Sequence, residues 1–69
     1  MGFNVRLNGM EETVEPATVV DLLRARGIDP AARGVAVALN GRVVRRADWT
    51  TTEISAGDAI EIVRPFSGG

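Results

Sequence analysis

The chain has 69 residues, 8 basic against 9 acidic, which leaves room for one small domain and gives no strong field for nucleic acid or an anionic membrane. Every basic residue is arginine, and Cys, His, Tyr and Lys do not occur. Thiol nucleophiles, disulfides, thiolate metal sites and side chains titrating near neutral pH are thereby excluded, and a deep cleft would compete with the core, so function is expected on the surface or at a terminus.

Phe3, Val5 and Leu7 alternate with Asn4 and Arg6, the period-two pattern of a strand buried on one face. Asn8-Gly9 follows. A two-residue type I′ turn needs positive φ at both central residues, which Asn and Gly tolerate best, so a hairpin is expected. The returning strand, Met10 to Val14, sets Met10 and Val14 on one face with Glu11, Glu12 and Thr13 between them, a polarity suited to a sheet edge. Glu11 and Glu12 point to opposite faces of such a strand and cannot act as a carboxylate pair. With Glu15 they read as solvated edge charges.

Pro16 ends the strand and the periodicity changes. Val19, Leu22 and Leu23 fall at helical spacing, with Asp21, Arg24 and Arg26 largely toward solvent. Thr18 can cap the first turn, Asp21 adds favourable charge near the positive end of the helix dipole, and Gly27 supplies the left-handed residue that ends the helix. Ile28 to Gly34 is a loop around Pro30. Val35 to Leu39 contains no polar residue and reads as a strand covered on both faces, its alanines placed where space is tight. Asn40-Gly41 repeats the hairpin signal and Arg42-Val43-Val44 begins the return. Arg45 to Ser55 carries no readable period. Ala56-Gly57-Asp58 is a turn, and Ala59 to Arg64 forms a last strand with Ile60 and Ile62 against Glu61. These elements predict an α+β fold, a mixed sheet of four to five strands with one helix packed across one face. Residues 1–64 form the domain and residues 65–69 a flexible tail ending in Gly68-Gly69. No apolar run could span a bilayer and no charged-then-apolar leader is visible, so the expected place is the cytoplasm.

On Val35 to Leu39, Asn40-Gly41, Val43-Val44, Trp49, Gly57-Asp58, Ile60-Glu61-Ile62-Val63 and Gly68-Gly69, the chain resembles the bacterial sulfur carriers of thiamine biosynthesis, the ThiS family. The resemblance covers nearly the whole chain, its specific part being the C-terminal half. One departure is Arg45, where the family often has proline between the valine pair and the arginine, and this leaves the path of the fourth strand open. The resemblance implies a ubiquitin-like β-grasp fold and a carrier rather than an enzyme. The Gly69 carboxylate would be adenylated with ATP by a ubiquitin-activating-like enzyme of the ThiF type. Sulfur would then replace AMP, and the thiocarboxylate would donate sulfur to a ThiG-type thiazole synthase. The small subunit of molybdopterin synthase shares this fold, tail and chemistry and is an alternative. Others are a ubiquitin-like modifier attached through Gly69 to lysines and a plain interaction module.

Physical chemistry shows why such a tail suits the task. A carboxylate is a poor acyl donor until one oxygen becomes a leaving group, which an acyl adenylate provides. Glycine lacks Cβ, so Gly68-Gly69 can enter a channel too narrow for side chains. Phe66 is either an aromatic anchor into a partner or folds back over the sheet edge. Pro65 marks where strand pairing stops, since it donates no hydrogen bond. Ser67 and Gly68 complete the segment a partner would recognise, and Arg64 is placed to steer it. Trp49 reads as core in preference to a nucleotide-stacking platform, and Arg42, Arg45 and Arg46 as a solvated face in preference to an anion site. No phosphate loop, dinucleotide fingerprint, calcium loop or zinc spacing occurs, so no cofactor is expected on the chain, and ATP and the sulfur donor belong to the partner enzymes.

Overall fold

The computed structural model describes residues 2–15 and 17–64. In chain order these form β1 (Phe3–Leu7), β2 (Met10–Val14), α1 (Val19–Ala25), β3 (Ala36–Leu39), β4 (Arg42–Val44), a 3₁₀ turn at Arg46–Asp48, and β5 (Ala59–Val63). The sheet order is β2-β1-β5-β3-β4, with β1 and β5 parallel and every other pair antiparallel. The last strand therefore sits in the middle, joining two hairpins, and α1 covers one face. This is the β-grasp arrangement that the resemblance implies.

Both hairpins close as the Asn-Gly pairs predict: φ is +51° and +83° at Asn8 and Gly9, and +52° and +84° at Asn40 and Gly41. The asparagines do more than tolerate the left-handed region. Asn8 Oδ1 accepts from the Ile62 amide at 2.8 Å while its Nδ2 donates to the Ile62 carbonyl at 3.3 Å, continuing the β1–β5 ladder with a side chain. Asn40 Oδ1 accepts from the Ala59 amide at 2.8 Å, and its Nδ2 donates to the Asp58 carboxylate at 3.0 Å. Each turn is thus pinned to β5, one at its start and one toward its end. Replacing Asn8 with Gly keeps the turn but removes two hydrogen bonds, for an expected loss of about 1–2 kcal/mol. Replacing it with Ala adds about 1 kcal/mol more of left-handed strain. Urea denaturation should rank wild type above Asn8→Gly and that above Asn8→Ala, and a Gly variant as stable as wild type would show that the pins contribute nothing.

The helix is short, and its ends explain how seven residues hold. Thr18 Oγ1 accepts from the Asp21 amide at 3.2 Å and the Asp21 carboxylate accepts from the Thr18 amide at 3.3 Å, a reciprocal capping box. The next two free amides are taken by the irregular connection: Val19 donates to the Thr52 carbonyl at 3.0 Å and Val20 to the Trp49 carbonyl at 3.1 Å. At the other end Gly27 has φ +77°, and the bonds from Ile28 to the Leu23 carbonyl and from Gly27 to the Arg24 carbonyl make a Schellman closure. Val19, Val20, Leu22 and Leu23 are buried against Val5, Leu7, Val14, Val37, Ile54, Ile60 and Trp49.

Two expectations need correction, for β3 and Glu12, and two gain detail, for Met10 and Arg46. β3 is not covered on both faces: Val35 and Val37 are buried toward the helix, while Ala36 is exposed and Ala38 half-buried on the uncovered side. One helix cannot cover two faces, and the alanines stand where the sheet meets solvent. Met10 shares the face of Val14 but is 68% exposed, because the short helix does not reach that end of β2. Glu12 is no solvated charge: it accepts from Arg26 at 2.6 Å, tying the edge strand to the helix end. Arg46 is exposed, as expected, but it is also held in place. Its guanidinium lies 4.6 Å from the centre of the Trp49 ring and donates to the carbonyls of Pro30 and Ala32.

Candidate functional site

The site is built outward from β5. Ile60 is buried and Ile62 half-buried toward the helix, which fixes the strand's register, while Glu61 and Val63 face the uncovered side. Asn8 holds the strand at Ile62, two residues before Arg64. The point from which the chain leaves the sheet is therefore anchored on the β1 side by a side chain and on the β3 side by the pairing of Val63 with Ala36. Of the expected site residues, Arg64 is described and exposed. Gly69, Gly68, Ser67 and Phe66, with Pro65, lie outside the described residues, as does the tail assigned to 65–69.

Two surfaces flank this exit. On the helix side Arg64 shares a notch of about 120 Å³ with Leu7, Asn8, Arg26, Ile28 and Ile62. On the uncovered side Ala36, Ala38, Val43 and Val63 form a small apolar strip, since Ala38 pairs with Val43 and Ala36 with Val63. Val43 and Val63 are 78% and 62% exposed. The sequence reading missed both surfaces. For Arg26 the available signal was its place at the helix end, which a β-grasp topology brings beside the end of β5. For the strip it was the odd-even alternation through Val43-Val44 and Ile62-Val63, which puts one member of each pair outside.

The other candidates are not brought together. Trp49 is 2% exposed, with its indole N–H donating to the Val44 carbonyl at 2.9 Å, so it is core and offers no stacking face. Arg42 and Arg45 line an open hollow of about 380 Å³ on β4, two strands from β5 and shared with the Asp48 carboxylate, while Arg46 is turned into the loop contacts described above. Among the described residues no three His, Cys, Asp or Glu side chains gather as a metal set, and no helix is long and apolar enough to cross a membrane.

The comparisons with known proteins agree with this geometry. The ThiS family model matches residues 2–69. A crystal structure of the thiamine biosynthesis protein ThiS from Geobacter metallireducens is similar at 36% identity and a TM-score of 0.78, over 97% of this chain and 100% of that one. A solution NMR structure of a thiamine biosynthesis protein from the same organism gives 36% identity and a TM-score of 0.79, over 97% of this chain and 88% of that one. No match is found among curated proteins.

Proposed function

The chain belongs to the ThiS family, and from that premise we propose that it is a sulfur carrier whose working group is the carboxylate of Gly69. In this reading a separate ThiF-type enzyme binds ATP and joins the carboxylate to AMP. A sulfur donor then displaces AMP, and the thiocarboxylate passes its sulfur to a ThiG-type synthase that builds the thiazole ring of thiamine. The chain contributes no general acid, base or nucleophile of its own. It presents a substrate.

The observation that carries the reading is the placement of β5. A central strand, paired on both sides and pinned by Asn8, ends at an exposed arginine five residues before the terminal glycine. Such a strand fixes the point from which the tail would start. The apolar strip beside Val63 gives an activating enzyme a face to rest on while it handles the tail. Arginine in place of lysine throughout also fits: guanidinium stays protonated, so the surface carries positive charge without an amine that an activated acyl group could modify.

The test is mass spectrometry of the chain after incubation with the cognate adenylating enzyme, ATP and a sulfur donor. The expected result is a mass increase equal to exchange of one oxygen for sulfur, and an unchanged mass beside an active enzyme refutes the reading. The molybdopterin alternative uses the same loading chemistry and is separated by genetics. A deletion strain that requires added thiazole supports the thiamine route, and one that loses molybdenum-enzyme activity supports the other.

A further inference from the structure

We propose that the notch between Arg26 and Arg64 docks a single carboxylate side chain of the adenylating enzyme, a contact that orients the carrier as its tail is engaged. The inference rests on the carrier reading above, because it concerns the same exit from β5.

Charge is the first argument. Two arginines line the notch and no acidic residue does: Arg26 is paired with Glu12 outside it, whereas Arg64 makes no ion pair among the described residues. The unbalanced charge calls for an anion. Size is the second. Small-molecule sites run from about 300 Å³ upward, so a notch of about 120 Å³ suits one short side chain better than a nucleotide. The floor is the third: Leu7 is buried and Ile28 and Ile62 are half-buried, so an incoming carboxylate would meet the arginines beside apolar surface, where water competes less. Arginine also offers a planar fork that grips a carboxylate with two parallel hydrogen bonds.

Position sets the consequence. The notch lies on the helix side of the exit and the apolar strip on the other, so a partner gripping both would hold β5 between two contacts and fix the direction of the tail. A contact of this kind acts on encounter and register, so it should alter the carrier's KM and its salt dependence while leaving kcat in place.

The experiment measures ATP-dependent activation of the full chain by its cognate adenylating enzyme, over a range of carrier and salt concentrations. Four variants are compared: Arg64→Glu, Arg64→Lys, the exchange Glu12→Arg with Arg26→Glu, and Arg42→Glu as a control. The exchange keeps an ion pair across β2 and the helix end while reversing the charge that faces the notch. Arg64→Glu and the exchange should each raise KM about tenfold, equivalent to about 1.4 kcal/mol. The expected kcat is unchanged, and the rise of KM with salt should flatten. Arg64→Lys should recover most of the affinity. Arg42→Glu, on the distant β4 hollow, should leave KM near the wild-type value. An unchanged KM in Arg64→Glu overturns the proposal, and so does an equal rise in Arg42→Glu, which would show a general field in place of a local grip. In either case a wild-type chain that still takes up sulfur leaves the carrier reading intact, whereas a wild-type chain that takes up none overturns both.

Discussion

Adding one alanine after Gly69 should abolish sulfur loading, and deleting Gly69 should lower it by at least about a hundredfold, with the melting temperature expected to stay at the wild-type value. The two changes fail for different reasons. The added residue turns the reactive acid of Gly69 into an amide, which cannot be adenylated. The deletion leaves a glycine carboxylate but draws it back by about 3.5 Å, well beyond the roughly 1 Å misplacement that already costs a hundredfold at a reacting centre. Little loss of stability is expected, because among the described residues the buried core runs from Val5 to Ile60 and closes before the tail is reached. The check is the mass of each variant after the loading reaction, alongside its thermal melt. An extended chain that still gains sulfur would show that the site is elsewhere.

Trp49→Ala should remove a large share of the domain's stability, about 3–5 kcal/mol, and bring it close to its unfolding midpoint. Trp49 joins several parts of the molecule: its ring is 2% exposed, its indole N–H donates to β4 at Val44, its carbonyl accepts from Val20 at the helix start, and Arg46 stacks on it. Truncating a buried tryptophan costs about 3–5 kcal/mol. At about 0.05–0.15 kcal/mol per residue, a domain of 69 residues has only about 3–10 kcal/mol in total. Trp49→Phe keeps a ring in the cavity but leaves the Val44 carbonyl without its donor, for a loss of about 1–2 kcal/mol. Circular dichroism in a urea series should separate the three proteins in that order. An alanine variant with a midpoint close to wild type would mean that the connection does not depend on this ring.

The parts of the fold that were legible in the sequence are those fixed by local chemistry. Asn8-Gly9 and Asn40-Gly41 announce their turns because few residue pairs accept positive φ twice, and Thr18, Asp21 and Gly27 mark a helix through bonds made within a few residues. The segment from Arg45 to Ser55 was illegible because its backbone is satisfied at a distance. Thr52 and Trp49 serve the helix amides, Ile54 donates to the Ala17 carbonyl, and Glu53 bridges to Thr18, none of which leaves a period in the sequence. The exposure of Ala36 and Ala38 was misread for a related reason. A run of small apolar residues looks the same whether both faces are covered or only one, and counting the available covers, here a single helix, decides it. Of the site, Arg64 could be read from its position alone, whereas Arg26 is found only by laying its place at the helix end onto the β-grasp topology.

The central position of β5 also bears on biosynthesis. Ribosomes deliver the chain from its amino end, so both hairpins emerge before the strand that unites them. Until Ala59–Val63 arrives, β1 and β3 have no neighbour on their inner edges, and the body cannot close. A polypeptide that stops upstream of that stretch would leave both inner edges unpaired and expose them to proteases, so only a product translated through the last strand can reach the closed fold.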